Sequence, residues 1–190
     1  MRHVLTLTAF MAGMLFSPLV QAQVPAVPPA AAPPAGAPSA AAAIPDAMPF
    51  NIPYGQPIDL DQAHKVIAAA AADAKKRNWK VAISVVGPSG NLVAHATMDD
   101  TQYASIPIAQ AKARTSATLR RPSKALADAI NGGSPATLSL IGLFDGAASE
   151  GGLPSIVDGK LIGAIGVSGA TGAQDGVIAK VGLDAAIAAK

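Results

Sequence analysis

Cysteine is absent from all 190 residues. That removes disulfides, thiol nucleophiles, zinc–thiolate sites and iron–sulfur clusters together. An excess of charge is missing as well, with 14 basic against 12 acidic residues. No electrostatic case exists for nucleic acid or an anionic membrane surface as partner. Histidine is scarce: His3, His64 and His95 are the whole supply. Beyond the first twenty-odd residues no apolar run is long enough to span a bilayer. There is no internal repeat, no nucleophile–base–orienter set, and no ligand cluster at metal spacing. Glycines are plentiful but form neither a phosphate loop nor a dinucleotide fingerprint, since no lysine follows them and no βαβ unit encloses them.

What is present divides the chain in three. Residues 1–22 read as a secretory signal peptide: Arg2 is the basic start, Val4 to Val20 the apolar core, and Val20-Gln21-Ala22 a small-residue cleavage site. The expected location is therefore periplasmic or secreted. Removal of Arg2 lowers the formal charge from +2 to +1. Residues 23–53 read as a linker without structure of its own. Val24 to Pro49 holds 8 prolines, 11 alanines and the single charge Asp46, a composition that favours polyproline II and cannot bury a core. Residues 54–190 are the expected domain, long enough to bury about two thirds of its unfolded surface.

Within that domain Asp59 can cap a helix to about Asn78, with Leu60, Ala63, His64, Ile67, Ala70, Ala71 and Ala74 on one stripe. Trp79 to Val86 alternates as a half-buried strand, Gly87 to Asn91 is a turn, and Leu92 to Met98 returns. A helix is expected from Ile106 to Leu119, with Ile108, Lys112, Thr115 and Leu119 on one stripe. A short helix follows, capped by Ser123, and Leu138 to Phe144 is a candidate strand. The segment Gly151 to Asp175, GGLPSIVDGKLIGAIGVSGATGAQD, specifies strand, Asp158-Gly159 turn, strand, glycine corner and helix, with Thr171 and Gln174 as a capping box. Hairpins rather than βαβ units join the strands, so the fold class is α+β with a central antiparallel sheet and helices packed on it.

Met98-Asp99, SIPIAQAKARTSAT from Ser105 to Thr118, Arg121-Pro122 and the closing glycine-rich segment together resemble the GlcG/HbpS family, from Pro57 to about Ala185. The resemblance implies a profilin-like or PAS-like fold and symmetric homo-oligomers, often octamers. It also implies binding of haem or a related tetrapyrrole in several members, and a haem-responsive sensing or accessory role in an exported branch. The chain departs from the family at Gly87-Pro88, where members commonly carry an aspartate, so any ligand role of that residue is vacant here.

Under that resemblance His64 is the candidate metal ligand, a haem-iron imidazole on the first helix; the alternative is a packed histidine bonded to a carbonyl. His95 has the same two readings with the structural one favoured, and Met98 is either an iron ligand or core. Lys112 either snorkels its amine to the surface or faces a pocket and meets a carboxylate, such as a haem propionate or a small organic acid. Thr115 lines the same wall, its hydroxyl available to ligand or to its own helix. Gly166, Ser168 and Gly169 form a corner that either binds with its N–H groups or packs strand closely on helix. Asp99-Asp100 reads as a solvated loop rather than a proton-sharing dyad. The functional expectation is an exported oligomeric binding protein for haem or a tetrapyrrole. The alternative is a small enzyme acting on a small organic acid or on haem.

Overall fold

The computed structural model describes residues 47–187. The expected signal peptide and residues 23–46 of the expected linker lie outside them. At the linker's end, the Pro53 carbonyl accepts from the Leu161 N–H at 2.8 Å. The Ile52 carbonyl accepts from Arg120 Nη1 at 3.0 Å.

The elements run α1 (Leu60–Lys76), β1 (Ala82–Val86), β2 (Leu92–Thr97), α2 (Ser105–Thr118), α3 (Lys124–Asn131), α4 (Pro135–Gly142), β3 (Gly152–Val157), β4 (Lys160–Ser168) and α5 (Gly172–Ile187). The four strands make one sheet in the order β2-β1-β4-β3, every neighbouring pair antiparallel. Two hairpins are thus joined by their first and last strands, and the fold is α+β as the turn chemistry requires. Asp158 and Gly159 adopt φ of 50° and 72°, the pair of positive values that a two-residue hairpin turn needs.

Both sheet faces are covered. Ile83, Val85, Ile165 and Val167 point to a core shared with Ala63, Val66, Ile67, Ala70 and Ala74 of α1 and with Ile178, Ala179 and Leu183 of α5. The alternate residues Val86 and Ala164 meet Ala113 and Ala117 of α2. Strand β1 is consequently buried at all five positions, not half-buried as its alternation suggested. Its small residues Ala82 and Ser84 lie under α2 rather than in water.

Three expectations are corrected here. The buried row of α1 includes Val66, while Leu60 is 52% exposed and His64 is exposed. With alanine at so many positions, two adjacent rows of α1 are apolar, and hydropathy cannot choose between them. In α2 the buried row is Ala109, Ala113 and Ala117, each 0% exposed, with Lys112, Thr115 and Ser116 beside it, while Ile108 is 39% exposed. Small side chains let α2 descend onto the sheet, so size rather than hydropathy selects its face. Finally, Leu138 to Phe144 is no strand: residues 135–142 form α4, with Pro135 in its first turn, where a missing N–H costs nothing.

The expected Thr171 capping box forms, and the expected Asp59 cap proves to be a second box with Gln62. Gln62 N–H donates to Asp59 Oδ1 at 2.8 Å and Asp59 N–H to Gln62 Oε1 at 3.1 Å. Thr171 N–H donates to Gln174 Oε1 at 3.0 Å, and Gln174 N–H reaches Thr171 Oγ1 at 3.4 Å. Ser123 precedes α3 but does not cap it with its side chain. Its hydroxyl donates to the Ser149 carbonyl at 2.5 Å and accepts from the Gly152 N–H at 2.9 Å, tying α3 to the start of β3.

Candidate functional site

Five of the six residues favoured above for ligand binding lie on α2, β4 and the corner that leads into α5. Lys112 and Thr115 come from α2, Ser168 and Gly166 from β4, and Gly169 from the corner that follows. The sixth, His64, stands apart on exposed α1. The Lys112 ammonium and the Thr115 hydroxyl are both engaged with other groups of the chain.

Lys112 is 2% exposed. Its ammonium donates to Asp175 Oδ2 at 2.8 Å and to the Val167 carbonyl at 3.0 Å. The second Asp175 oxygen accepts from the Ala170 N–H at 3.0 Å, and this carboxylate too is 2% exposed. Burial pushes the Asp175 carboxyl above its usual range, while the Lys112 hydrogen bond and charge and the Ala170 N–H pull the other way. Gly151, at φ +121°, covers the pair: a Cβ there would stand 2.9 Å from Lys112 Nζ. The lysine therefore does not snorkel, and the carboxylate it meets is the chain's own. Asp175 is the residue that sequence reasoning missed. A lysine on the buried row of a helix demands an acid, and Asp175 is the acid in the first turn of α5, next to the corner.

Thr115 is likewise buried, and its hydroxyl accepts from the Ala147 N–H at 2.8 Å. Side chains at Gly166 and Gly169 would run into the Ala109 carbonyl of α2 and the Lys80 carbonyl respectively. The corner's glycines thus serve close backbone approach, and Ser168 is buried beside them at 5% exposure.

The two described histidines differ sharply. His95 Nδ1 lies 2.8 Å from Ser84 Oγ and its Nε2 lies 2.8 Å from Thr97 Oγ1, so both ring nitrogens are engaged. Partial burial lowers its pKa below the ordinary 6.5. Met98 packs against the core at the end of β2. His64 makes no hydrogen bond within the described residues. It sits between Leu60 and Ala68, one turn to either side, on the outward row of α1, and all three are exposed. Apolar side chains one turn to either side thus flank an exposed imidazole.

Among the described residues no group of three or more histidine, aspartate and glutamate side chains could hold a bare metal ion. A groove of about 370 Å³ runs between the start of α3, β3 and α5, with Pro122, Leu153 and Val177 as its apolar lining. Its two lysines are taken by carboxylates one turn along their own helices, Lys124 by Asp128 at 2.6 Å and Lys180 by Asp184 at 2.7 Å. Arg114 pairs with exposed Asp145 at 2.9 Å. No described helix is long and apolar enough to cross a membrane.

Residues 58–184 match the family described as "Haem degrading protein HbpS-like". Protein GlcG of Escherichia coli K12 is 44% identical over 106 residues, 56% of this chain and 77% of that protein. Among solved structures, protein ORFY of Klebsiella pneumoniae, assigned to DUF336, superposes with a TM-score of 0.68 at 30% identity, covering 77% of this chain and 99% of ORFY. The haem complex of PduOC superposes with a TM-score of 0.63 at 26% identity, covering 68% of this chain and 94% of PduOC.

Proposed function

The chain belongs to the HbpS-like family, and from that premise we propose that it is an exported, oligomeric binding protein for haem or a related tetrapyrrole, with His64 as the group that meets the iron. One observation carries the assignment of the residue. Of the two described imidazoles, His95 has both nitrogens engaged, whereas His64 has neither. The chemistry of the donor set points the same way. A bare cation needs several protein ligands, but an iron already held by four pyrrole nitrogens needs only an axial one or two. The exposed row of Leu60, His64 and Ala68 suits a macrocycle in chemistry, since it sets apolar side chains one turn to either side of an exposed imidazole. Bound there, haem would supply a redox-active iron, and the protein would supply its position and surroundings.

Lys112 drops out of this reading as a propionate partner, because it is sealed against Asp175. The same fact weakens the alternative of an enzyme working on a small acid, which needed that ammonium free. Export is part of the proposal and rests on residues 1–22. Titration of the purified protein with hemin, followed at the Soret band, tests the binding: a saturable shift is expected. The absence of any spectral change at micromolar hemin contradicts the proposal.

A further inference from the structure

Three charged side chains line the groove between α3, β3 and α5: Lys124, Glu150 and Lys180. Lys124 holds both oxygens of Asp128, at 2.6 and 2.8 Å, and Lys180 both oxygens of Asp184, at 2.9 and 2.7 Å. Glu150 alone of the three makes no hydrogen bond or close ion pair among the described residues. The Asp128 hydrogen bond is the first cause that raises the Lys124 pKa, and the charge of Glu150 is the last. The groove is nonetheless shaped around this carboxylate. Gly176 lies inside α5, where glycine weakens a helix, and its φ is not in the left-handed region. What it provides is room: a Cβ there would stand 2.9 Å from Glu150 Oε1 and 3.1 Å from Glu150 Cγ. A Cβ at Gly172 would stand 3.3 Å from the Glu150 Cβ. The first turns of α5 favour negative charge beside them but donate no hydrogen bond to it.

We propose that this groove binds a small organic ammonium ion, with its charge on Glu150 and its apolar body along Pro122, Leu153 and Val177. The volume of about 370 Å³ falls at the lower end of small-molecule sites, and Val177 is 42% exposed on its floor. Charge complementarity fixes the sign of the ligand. Each lysine with its aspartate is neutral, so the groove presents one negative charge over an apolar floor. An organic acid would meet Glu150 as a like charge and would have to draw a lysine from its aspartate. A neutral apolar molecule would take water from the carboxylate and give it no partner. The site shares no residue with the His64 reading and stands or falls separately.

Titration with n-hexylammonium, followed by calorimetry and by amide resonances, tests the proposal. Two controls divide the ligand into its parts: n-hexanoate has the same chain and the opposite charge, and ethylammonium has the charge without the chain. Saturable binding of hexylammonium at millimolar concentration is expected, with the Gly152 and Gly176 amides shifting. Hexanoate and ethylammonium should each bind about ten-fold more weakly. Glu150→Gln, a near-isosteric change at a half-buried side chain, should weaken hexylammonium by about ten-fold at unchanged Tm. The hexanoate comparison needs no variant. Hexanoate or ethylammonium binding as tightly, binding that Glu150→Gln leaves intact, or no saturation at millimolar hexylammonium overturns the proposal.

Discussion

At the scale of the residue, burial decides what each polar group is for. Lys112 reads in the sequence as a cation in search of a carboxylate, which is right in chemistry; its partner was illegible because Asp175 lies sixty-three positions away. Only the crossing of α2 over β4 brings them together. Lys112→Met leaves the Asp175 carboxyl buried without its cation, and we expect a loss of about 3–5 kcal/mol in denaturant unfolding. The double change Lys112→Met with Asp175→Leu should recover most of that, because it removes both charges. If the single variant were as stable as wild type, the pair would not be holding α5 to α2. His95 gives a prediction in pH. Its folded-state pKa is depressed by burial below the ordinary 6.5, so the unfolded chain binds the proton more tightly. Its contribution is complete above that value and is lost as pH falls through it toward the folded pKa. The Tm advantage of wild type over His95→Gln should therefore shrink between pH 7.5 and pH 5; an advantage that grows on acidification would reverse the sign.

At the scale of the element, patterns with unambiguous chemistry were readable and patterns of size were not. The Asp158-Gly159 hairpin, the Asp59 cap and the Thr171 capping box depend on local dihedrals and near neighbours, and all three form as their residues dictate. The buried rows of α1 and α2 depend instead on how near each helix comes to the sheet. Alanine permits that approach on several sides at once, so Leu60 and Ile108 were assigned inward although each is left outside. Residues 138–144 show the same ambiguity for a short apolar run, where length and periodicity do not separate strand from helix. Gly166 tests the close approach directly. A methyl there meets the Ala109 carbonyl and the Ala113 nitrogen of α2, so Gly166→Ala should cost about 1–3 kcal/mol through forced displacement of the helix. Gly142→Ala, at the end of α4 with nothing within 4 Å of the added methyl, should be neutral or slightly stabilising, in line with helix propensity. Equal effects at the two glycines would mean that α2 gives way freely.

At the scale of the whole molecule, the architecture separates a sealed interior from an open exterior. The ion pair of Lys112 and Asp175 joins α2 to α5 inside that interior, while the Ser105 and Ser116 hydroxyls of α2 are buried without a partner among the described residues. The features open to a ligand are outward: His64 on α1 and the Glu150 carboxylate in its groove. The glycine corner, which in sequence read equally as a binding site or a close packing of strand on helix, is a junction where the backbone approaches closely beside the ion pair. The exposure of the candidate residues was not legible in the sequence, because exposure is a property of the assembled layers. The account therefore stands on His64, and the most direct measurement is hemin titration of wild type beside His64→Ala and His95→Gln at matched folding. The account predicts a saturable Soret shift in wild type and His95→Gln that is abolished in His64→Ala. An undiminished shift in His64→Ala, or its loss in His95→Gln alone, would contradict it.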